Sequence, residues 1–112
     1  MMIVPTYYAN IYVGLKEGYN GIQYSIDHLC TLCQTYCNTV KLGLTVTPTK
    51  FIYVDGSEMG AIVGRINYPR FPSTNEMLRS KAVDLAILLK DEFKQQRLSI
   101  VCPDETIMIG EP

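Results

Sequence analysis

The sequence has no tryptophan, one histidine and few charged residues. Charged residues make up 19% of its 112 positions, and ten basic against eleven acidic residues give a net charge of −1. Binding to a phosphate backbone needs a basic face, so this balance argues against a DNA- or RNA-binding protein. His28 is the only histidine, and no serine stands in a G-x-S-x-G motif. We therefore predict no catalytic residues and a protein that is not an enzyme.

Long hydrophobic runs are also missing. No apolar run approaches the roughly 20 residues that span a bilayer, and the start, Met1 to Pro5, lacks the basic region and apolar core of a signal peptide. We predict a cytoplasmic protein without membrane contact, whose four cysteines are reduced. With 47% hydrophobic residues, the chain is expected to form one domain over residues 1–112.

Patterns typical of strands and helices alternate along the chain. Strands are predicted at 7–15, 42–54, 61–68, 97–102 and 106–109, and helices after Ser25 and Ser73. Both serines are expected N-caps, the second within a capping box completed by Glu76. Pro48 cannot donate to a ladder and should lie at an edge or a bulge. Asp55 to Gly60 is expected to be a six-residue hairpin connection.

This order, β-α-β-β-α-β with a short C-terminal strand, predicts an α+β fold. We expect an antiparallel sheet with two helices on one face, ferredoxin-like or a close variant. We also expect the first and third strands to run parallel in the middle of the sheet. The segments 16–24 and 69–75, which follow these strands, would then be neighbours in space.

Three cysteines in the first helix, with His28 nearby, are the candidate metal ligands. Cys30, Cys33 and Cys37 share one helical face, but a straight helix spreads them over two turns, too far for one tetrahedral ion. The same positions continue the apolar stripe, and free cysteine is often buried. We predict core packing, with no metal and no cofactor. The pairs Asp55 with Glu58 and Asp104 with Glu105 fall in predicted turns, where carboxylates are expected to be solvated.

The segment before the second helix has the composition of an anion-binding loop. Its arginine could pair with a phosphate and its aromatic rings could stack on a base, beside the free N–H groups of a helix start. The predicted ligand-binding residues are Tyr19, Asn20, Asn67, Tyr68, Arg70, Phe71, Ser73, Thr74 and Asn75, with Lys50 and Arg97 as further phosphate partners. The alternative is structural: prolines stiffen the loop, the aromatic rings plug the end of the sheet, and Ser73 only caps the helix.

Several of the eight tyrosines lie on or beside predicted strands. Two helices cover only one sheet face, so the other face needs polar side chains or a partner, and tyrosine is common at interfaces. A homo-oligomer built on this face and a monomer with half-buried tyrosines are both compatible with the pattern.

Three stretches together resemble a known family: YANIYVGLKEGYNG, GLTVTPTKFIYVDGSEMGAIVGRINYPRFP and QQRLSIVCPDETIMI. They are similar to the phage anti-Thoeris proteins, small anti-defence proteins that sequester a cyclic ADP-ribose-type immune signal. The resemblance implies a non-enzymatic sponge in the cytoplasm of a bacterial host, with a small nucleotide ligand bound between the subunits of an oligomer. The alternative is a ferredoxin-like interaction or regulatory module without a small-molecule ligand.

Overall fold

The elements follow the predicted order. The computed structural model describes residues 1–18 and 21–112. The elements are β1 (Tyr8–Gly14), α1 (Ile26–Val40), β2 (Thr45–Tyr53), β3 (Gly56–Ile66), α2 (Asn75–Glu92), β4 (Arg97–Val101) and β5 (Thr106–Gly110). The strands form one antiparallel sheet in the order β2-β3-β1-β4-β5. The α+β class and the ferredoxin-like arrangement with an added C-terminal strand are confirmed.

The direction of the two central strands differs from the prediction. Tyr8 pairs with Ile66 and Gly14 pairs with Gly60, so β1 and β3 are antiparallel. The helix α1 carries the chain across the sheet from β1 to a parallel β2, and the β2–β3 hairpin then reverses it. The expectation of parallel central strands is therefore wrong. The segments that follow β1 and β3 lie at opposite ends of the sheet.

The core lies between the helices and one face of the sheet. Alternation along β1 turns Ala9, Ile11 and Val13 towards the helices, where each is buried. The helix α2 buries a stripe of leucine and alanine against them and ends on the fully buried Phe93. The hydroxyl of Tyr36 in α1 donates to the backbone carbonyl of Lys81 in α2 at 3.3 Å. This contact joins the two helices over the sheet.

The ends of the elements confirm some local predictions and correct others. The Ser25 hydroxyl accepts a hydrogen bond from the His28 N–H, as expected of an N-cap. The second cap is Thr74 instead of Ser73: the Thr74 hydroxyl accepts from the Met77 N–H, and the Ser73 N–H is bonded to the Asn67 side chain before the helix starts. Pro48 lies in the edge strand β2, as predicted.

The β2–β3 hairpin is tighter than expected. Tyr53 pairs with Gly56, which leaves a two-residue turn in which Asp55 has a φ of 58°. Asp residues tolerate this left-handed conformation better than most. The six-residue connection is therefore wrong, and Glu58 belongs to β3, not to a solvated turn.

The helix cysteines do not share one environment. Cys33 is buried, Cys37 is partly buried and Cys30 is exposed, and all are free thiols. Burial raises the pKa of the Cys33 thiol to about 11. Core packing is confirmed for Cys33, whereas Cys30 faces water because it lies at the edge of the apolar stripe. Within residues 1–18 and 21–112 no cluster of His, Cys, Asp and Glu side chains could hold a metal ion.

No helix in the described ranges combines the length and the apolar character needed to cross a bilayer.

Candidate functional site

The predicted loop before α2 is organised around a buried asparagine. The side-chain nitrogen of Asn67 donates to the Pro5 carbonyl at 2.9 Å, and the side-chain oxygen accepts from the Ser73 N–H at 2.9 Å. Asn67 is buried, and Tyr68 beside it is partly buried. These bonds tie the segment before β1 to the loop, so the Asn67 side chain is occupied by structural contacts.

The rest of this loop is exposed. The Arg70 guanidinium lies over the Phe71 ring at 5.4 Å from its centroid, and Phe71 is 68% exposed. The exposure means that Phe71 does not plug the end of the sheet. The Thr74 hydroxyl caps α2 by accepting from the Met77 N–H, and Asn75 is the first residue of the helix.

The predicted ligand-binding residues divide between the two ends of the sheet. The residues of the 67–75 loop follow β3, whereas Lys50, near the end of β2, and Arg97, at the start of β4, lie at the opposite end. Tyr19 and Asn20 lie outside the described residues. The structure therefore does not bring the predicted set together, because the antiparallel β1 and β3 send their following loops to opposite ends.

An open cleft of about 660 Å³ occupies the end that holds Arg97. Three segments form it: the chain after β1, the tight β2–β3 hairpin and the connection from α2 to β4. The lining residues are Lys16, Glu17, Gly18, Tyr53, Glu58, Lys94, Gln95, Gln96 and Arg97. This mixture of three cations, two carboxylates, two amides and a phenol suits a small polar ligand that carries both charges.

Glu58 is the carboxylate on the floor of the cleft. Alternation in β3 places it with Gly60 and Ile62 on the sheet face away from the helices. The side chain is partly buried, and this burial raises the pKa of Glu58 above its ordinary value, with Lys16 opposing the rise. A partly buried carboxylate in a cleft is a group that can bind a cation or exchange a proton.

Gln95 lies next to Glu58 across the strand β1. Its amide nitrogen donates to the carbonyls of Lys16 at 3.0 Å and Phe93 at 2.9 Å. A Cβ placed on Gly14 would meet the Gln95 Oε1 at 2.7 Å and the Glu58 Oε1 at 3.4 Å. Glycine at position 14 is what allows these two side chains to approach over the strand.

A ring cluster supports the rim of the cleft from the helix side. His28 and Phe93 each pack against the Tyr24 ring, with centroids 5.7 Å and 5.3 Å from it. The Tyr24 hydroxyl donates to the Glu17 carboxylate at 3.3 Å, and burial together with Glu17 raises the pKa of Tyr24. This packing holds Glu17 and the segment after β1 in place.

Sequence reasoning missed most of the cleft. A six-residue connection places Glu58 in a solvated turn, whereas the two-residue turn of the structure places it in β3. Lys16 belongs to the segment 16–24, of which only Tyr19 and Asn20 are predicted ligand residues, and Gln95 lies between a helix and a strand without a motif. One sequence signal for Glu58 exists: it lies two and four residues before Gly60 and Ile62, so in a longer β3 its side chain would be on the same sheet face as theirs.

Two solved structures match almost the whole chain. One is a phage SAM lyase in complex with S-methyl-5′-thioadenosine, with a TM-score of 0.77 and 14% identity, covering 99% of this chain and 94% of that chain. The other is a phage SAM lyase in the apo state, with a TM-score of 0.75 and 17% identity, covering 94% and 89%. No family model and no curated protein matches the sequence.

These matches correct the functional predictions made from the sequence. The structures that share this fold are of an enzyme, a SAM lyase, so the resemblance to the anti-Thoeris sponges is wrong. The same two structures show that the predicted non-enzymatic sequestration of a cyclic nucleotide is wrong. The alternative, a module without a small-molecule ligand, is wrong because one of these structures contains such a ligand. The ligand held by one matched structure is a small nucleoside, the general kind of ligand that was expected.

Proposed function

We propose that the protein is a SAM lyase that splits S-adenosylmethionine (SAM) and releases S-methyl-5′-thioadenosine. The observation that carries the proposal is the match of the fold to phage SAM lyase over 99% of the chain, in a structure that contains S-methyl-5′-thioadenosine. SAM is a sulfonium ion attached to an α-amino acid chain. S-Methyl-5′-thioadenosine is the part that remains when the bond between the sulfur and that chain breaks.

The electron balance of this cleavage limits what the protein must supply. The electron pair of the broken C–S bond goes to sulfur, which leaves as a neutral thioether. As the bond breaks, the carbon receives a new electron pair in one of two ways. A base removes a proton from the adjacent carbon and an alkene forms, or the substrate's own carboxylate attacks and closes a lactone. The alkene route needs a protein base, and the lactone route needs the substrate folded on itself.

The cleft at the Arg97 end supports both routes. Glu58 is the carboxylate that could accept the proton in the alkene route, and burial keeps its pKa closer to the working pH than that of a solvated glutamate. In the lactone route, Arg97 and Lys94 would hold the substrate's carboxylate near the carbon that it attacks. The residues Tyr68, Arg70 and Phe71 at the other end of the sheet are an alternative surface for the whole ligand.

Product analysis tests the proposal. SAM is incubated separately with the protein, with the Glu58→Gln variant and with buffer. The products are separated by chromatography and identified by mass spectrometry. We expect S-methyl-5′-thioadenosine together with either the unsaturated amino acid or homoserine lactone, formed faster than in buffer. SAM decay at the buffer rate in the presence of the wild type would reject the proposal.

We further propose that the chain forms a homo-oligomer through the sheet face away from the helices. This face carries Tyr12, Ile66 and Met108, which are 36%, 46% and 47% exposed. On the same face Tyr12 pairs with Ile62 and Ile66 pairs with Tyr8, so apolar side chains extend along the β1–β3 pair, whereas Ser99 lies between Tyr12 and Met108. No nucleic acid is expected as a partner, since the cleft mixes both signs of charge.

Light scattering of paired variants tests the oligomer. Ile66→Asp places a charge on the apolar sheet face, and Ile87→Asp places one on α2, where the side chain is similarly exposed at 45%. We expect Ile66→Asp to lower the molecular mass to that of one chain and Ile87→Asp to leave it unchanged. A wild type that is already monomeric would contradict this part of the proposal.

The cellular setting is part of the same proposal. Four free thiols support a reducing compartment, the cytoplasm, where SAM is also present. The packing of both helices on one sheet supports a single domain over residues 1–112.

A further inference from the structure

The orientation of the Gln95 side chain is fixed by its partners. The amide nitrogen faces two backbone carbonyls, those of Lys16 and Phe93, at 3.0 Å and 2.9 Å. Carbonyl oxygens accept hydrogen bonds and cannot donate them, so the nitrogen and not the oxygen of the amide must point at them. The amide oxygen is therefore directed away from the backbone and over Gly14.

Two acceptor oxygens converge at this place. The Gln95 Oε1 and the Glu58 Oε1 lie 2.7 Å and 3.4 Å from the point that a Cβ on Gly14 would occupy. Among residues 1–18 and 21–112, no cationic side chain lies within 4.0 Å of the Glu58 carboxylate, and Lys16 acts on the pKa of this carboxyl from a longer distance. No described donor is bonded to the Gln95 oxygen either. When Glu58 is ionised, two partly buried acceptors that face one point are unfavourable unless a group with hydrogen-bond donors joins them.

We propose that Glu58 and Gln95 bind the α-ammonium group of the ligand's amino-acid part. An ammonium group has three N–H donors and no acceptor, which matches two converging oxygens. A sulfonium attracts the carboxylate by its charge but has no N–H, so it leaves both oxygens without a hydrogen bond. The inference rests on the proposed function, since it assumes a ligand with an adenosyl part and an amino-acid part.

The α-carboxylate of the ligand's amino-acid part also has candidate partners in the same cleft. Arg97 and Lys94 line the cleft on the side of β4, and neither forms an ion pair with a carboxylate of the described residues. An arginine binds a carboxylate through two parallel N–H donors. The cleft thus offers acceptors for the ammonium and donors for the carboxylate of one amino acid.

Calorimetry with two uncleaved ligands tests the inference. S-Methyl-5′-thioadenosine lacks the amino-acid part, and S-adenosylhomocysteine carries it on a neutral sulfur. We expect Glu58→Gln to weaken binding of S-adenosylhomocysteine by about tenfold or more, because a charge-assisted hydrogen bond is lost. Binding of S-methyl-5′-thioadenosine should change by less than about twofold.

A glycine pair supplies the matched control. Gly14→Ala puts a methyl group 2.7 Å from the Gln95 oxygen, and Gly64→Ala puts one 2.6 Å from the Asn10 oxygen on the same sheet face, at the far end. We expect Gly14→Ala to weaken binding of S-adenosylhomocysteine selectively and Gly64→Ala to change neither ligand. Equal losses in both variants would show that sheet strain is the cause and would overturn the inference.

The outcomes separate this inference from the proposed function. In one outcome the wild type binds S-methyl-5′-thioadenosine while Glu58→Gln leaves the affinity for both ligands unchanged or lowers both by the same factor. That result overturns the ammonium site and leaves the lyase proposal standing. A wild type that binds neither ligand overturns both. Selective loss with S-adenosylhomocysteine supports both.

Discussion

Arg70 and Arg97 lie at opposite ends of the same sheet, although both are candidate anion-binding residues. Arg70 follows the end of β3, and Arg97 begins β4, beside the point where β1 ends. Arg70 stacks on the exposed Phe71, whereas Arg97 lines the cleft with Glu58 and Gln95. The two arginines therefore separate the two candidate surfaces experimentally.

Alanine substitutions at these two positions locate the ligand. If the cleft binds the carboxylate of the amino-acid part, Arg97→Ala should weaken binding of S-adenosylhomocysteine by about tenfold or more, the loss of one charge-assisted contact. Arg70→Ala should weaken it by less than about twofold. Calorimetry measures both, and a larger loss for Arg70→Ala would place the ligand on the 67–75 loop.

Stability should depend on pH through Glu58. Burial raises the pKa of this carboxyl above its ordinary 4.5, so the folded state favours the protonated form. The resulting stabilisation is full below pH 4.5 and is lost as the pH rises through the higher pKa of the folded protein. Glu58→Gln removes this dependence. Urea unfolding at a series of pH values should show wild-type stability falling relative to the variant as the pH rises, and a constant difference would contradict the assignment.

Asn67 is expected to contribute to stability and not to binding. Asn67→Ala removes two hydrogen bonds of a buried side chain, to Pro5 and Ser73, and should lower the free energy of unfolding by about 2 kcal/mol. The control Asn75→Ala changes an exposed residue in the first turn of α2 and should cost less than about 0.5 kcal/mol. Denaturant unfolding gives both values. Weaker ligand binding by a fully folded Asn67→Ala protein would restore its predicted role as a ligand residue.

The helix cysteines should differ in reactivity. Alkylation requires the thiolate, and Cys33 is buried with a pKa of about 11, whereas Cys30 is exposed. At about pH 8, near the ordinary pKa of a thiol, iodoacetamide should modify Cys30 long before Cys33. Peptide mass spectrometry over time gives the two rates. Equal rates would mean that α1 opens readily from the sheet.

The sequence predicted the elements better than their arrangement. Periodicity located both helices and all five strands, since burying one face of each element demands that pattern. The direction of β3 depends on the hairpin that precedes it, and the alternation of apolar residues is the same in either direction. The cleft was missed for a related reason: Glu58, Gln95 and Arg97 meet only through strand pairing, and their spacing along the chain carries no motif.

The number of product molecules formed per chain tests the central claim most directly. SAM in large excess is mixed with the wild-type protein, and S-methyl-5′-thioadenosine is quantified over time against a buffer control. A lyase predicts many equivalents of S-methyl-5′-thioadenosine per chain, with the rate proportional to protein concentration. Recovery of SAM intact, at no more than one equivalent bound per chain and without product above the control, would contradict it.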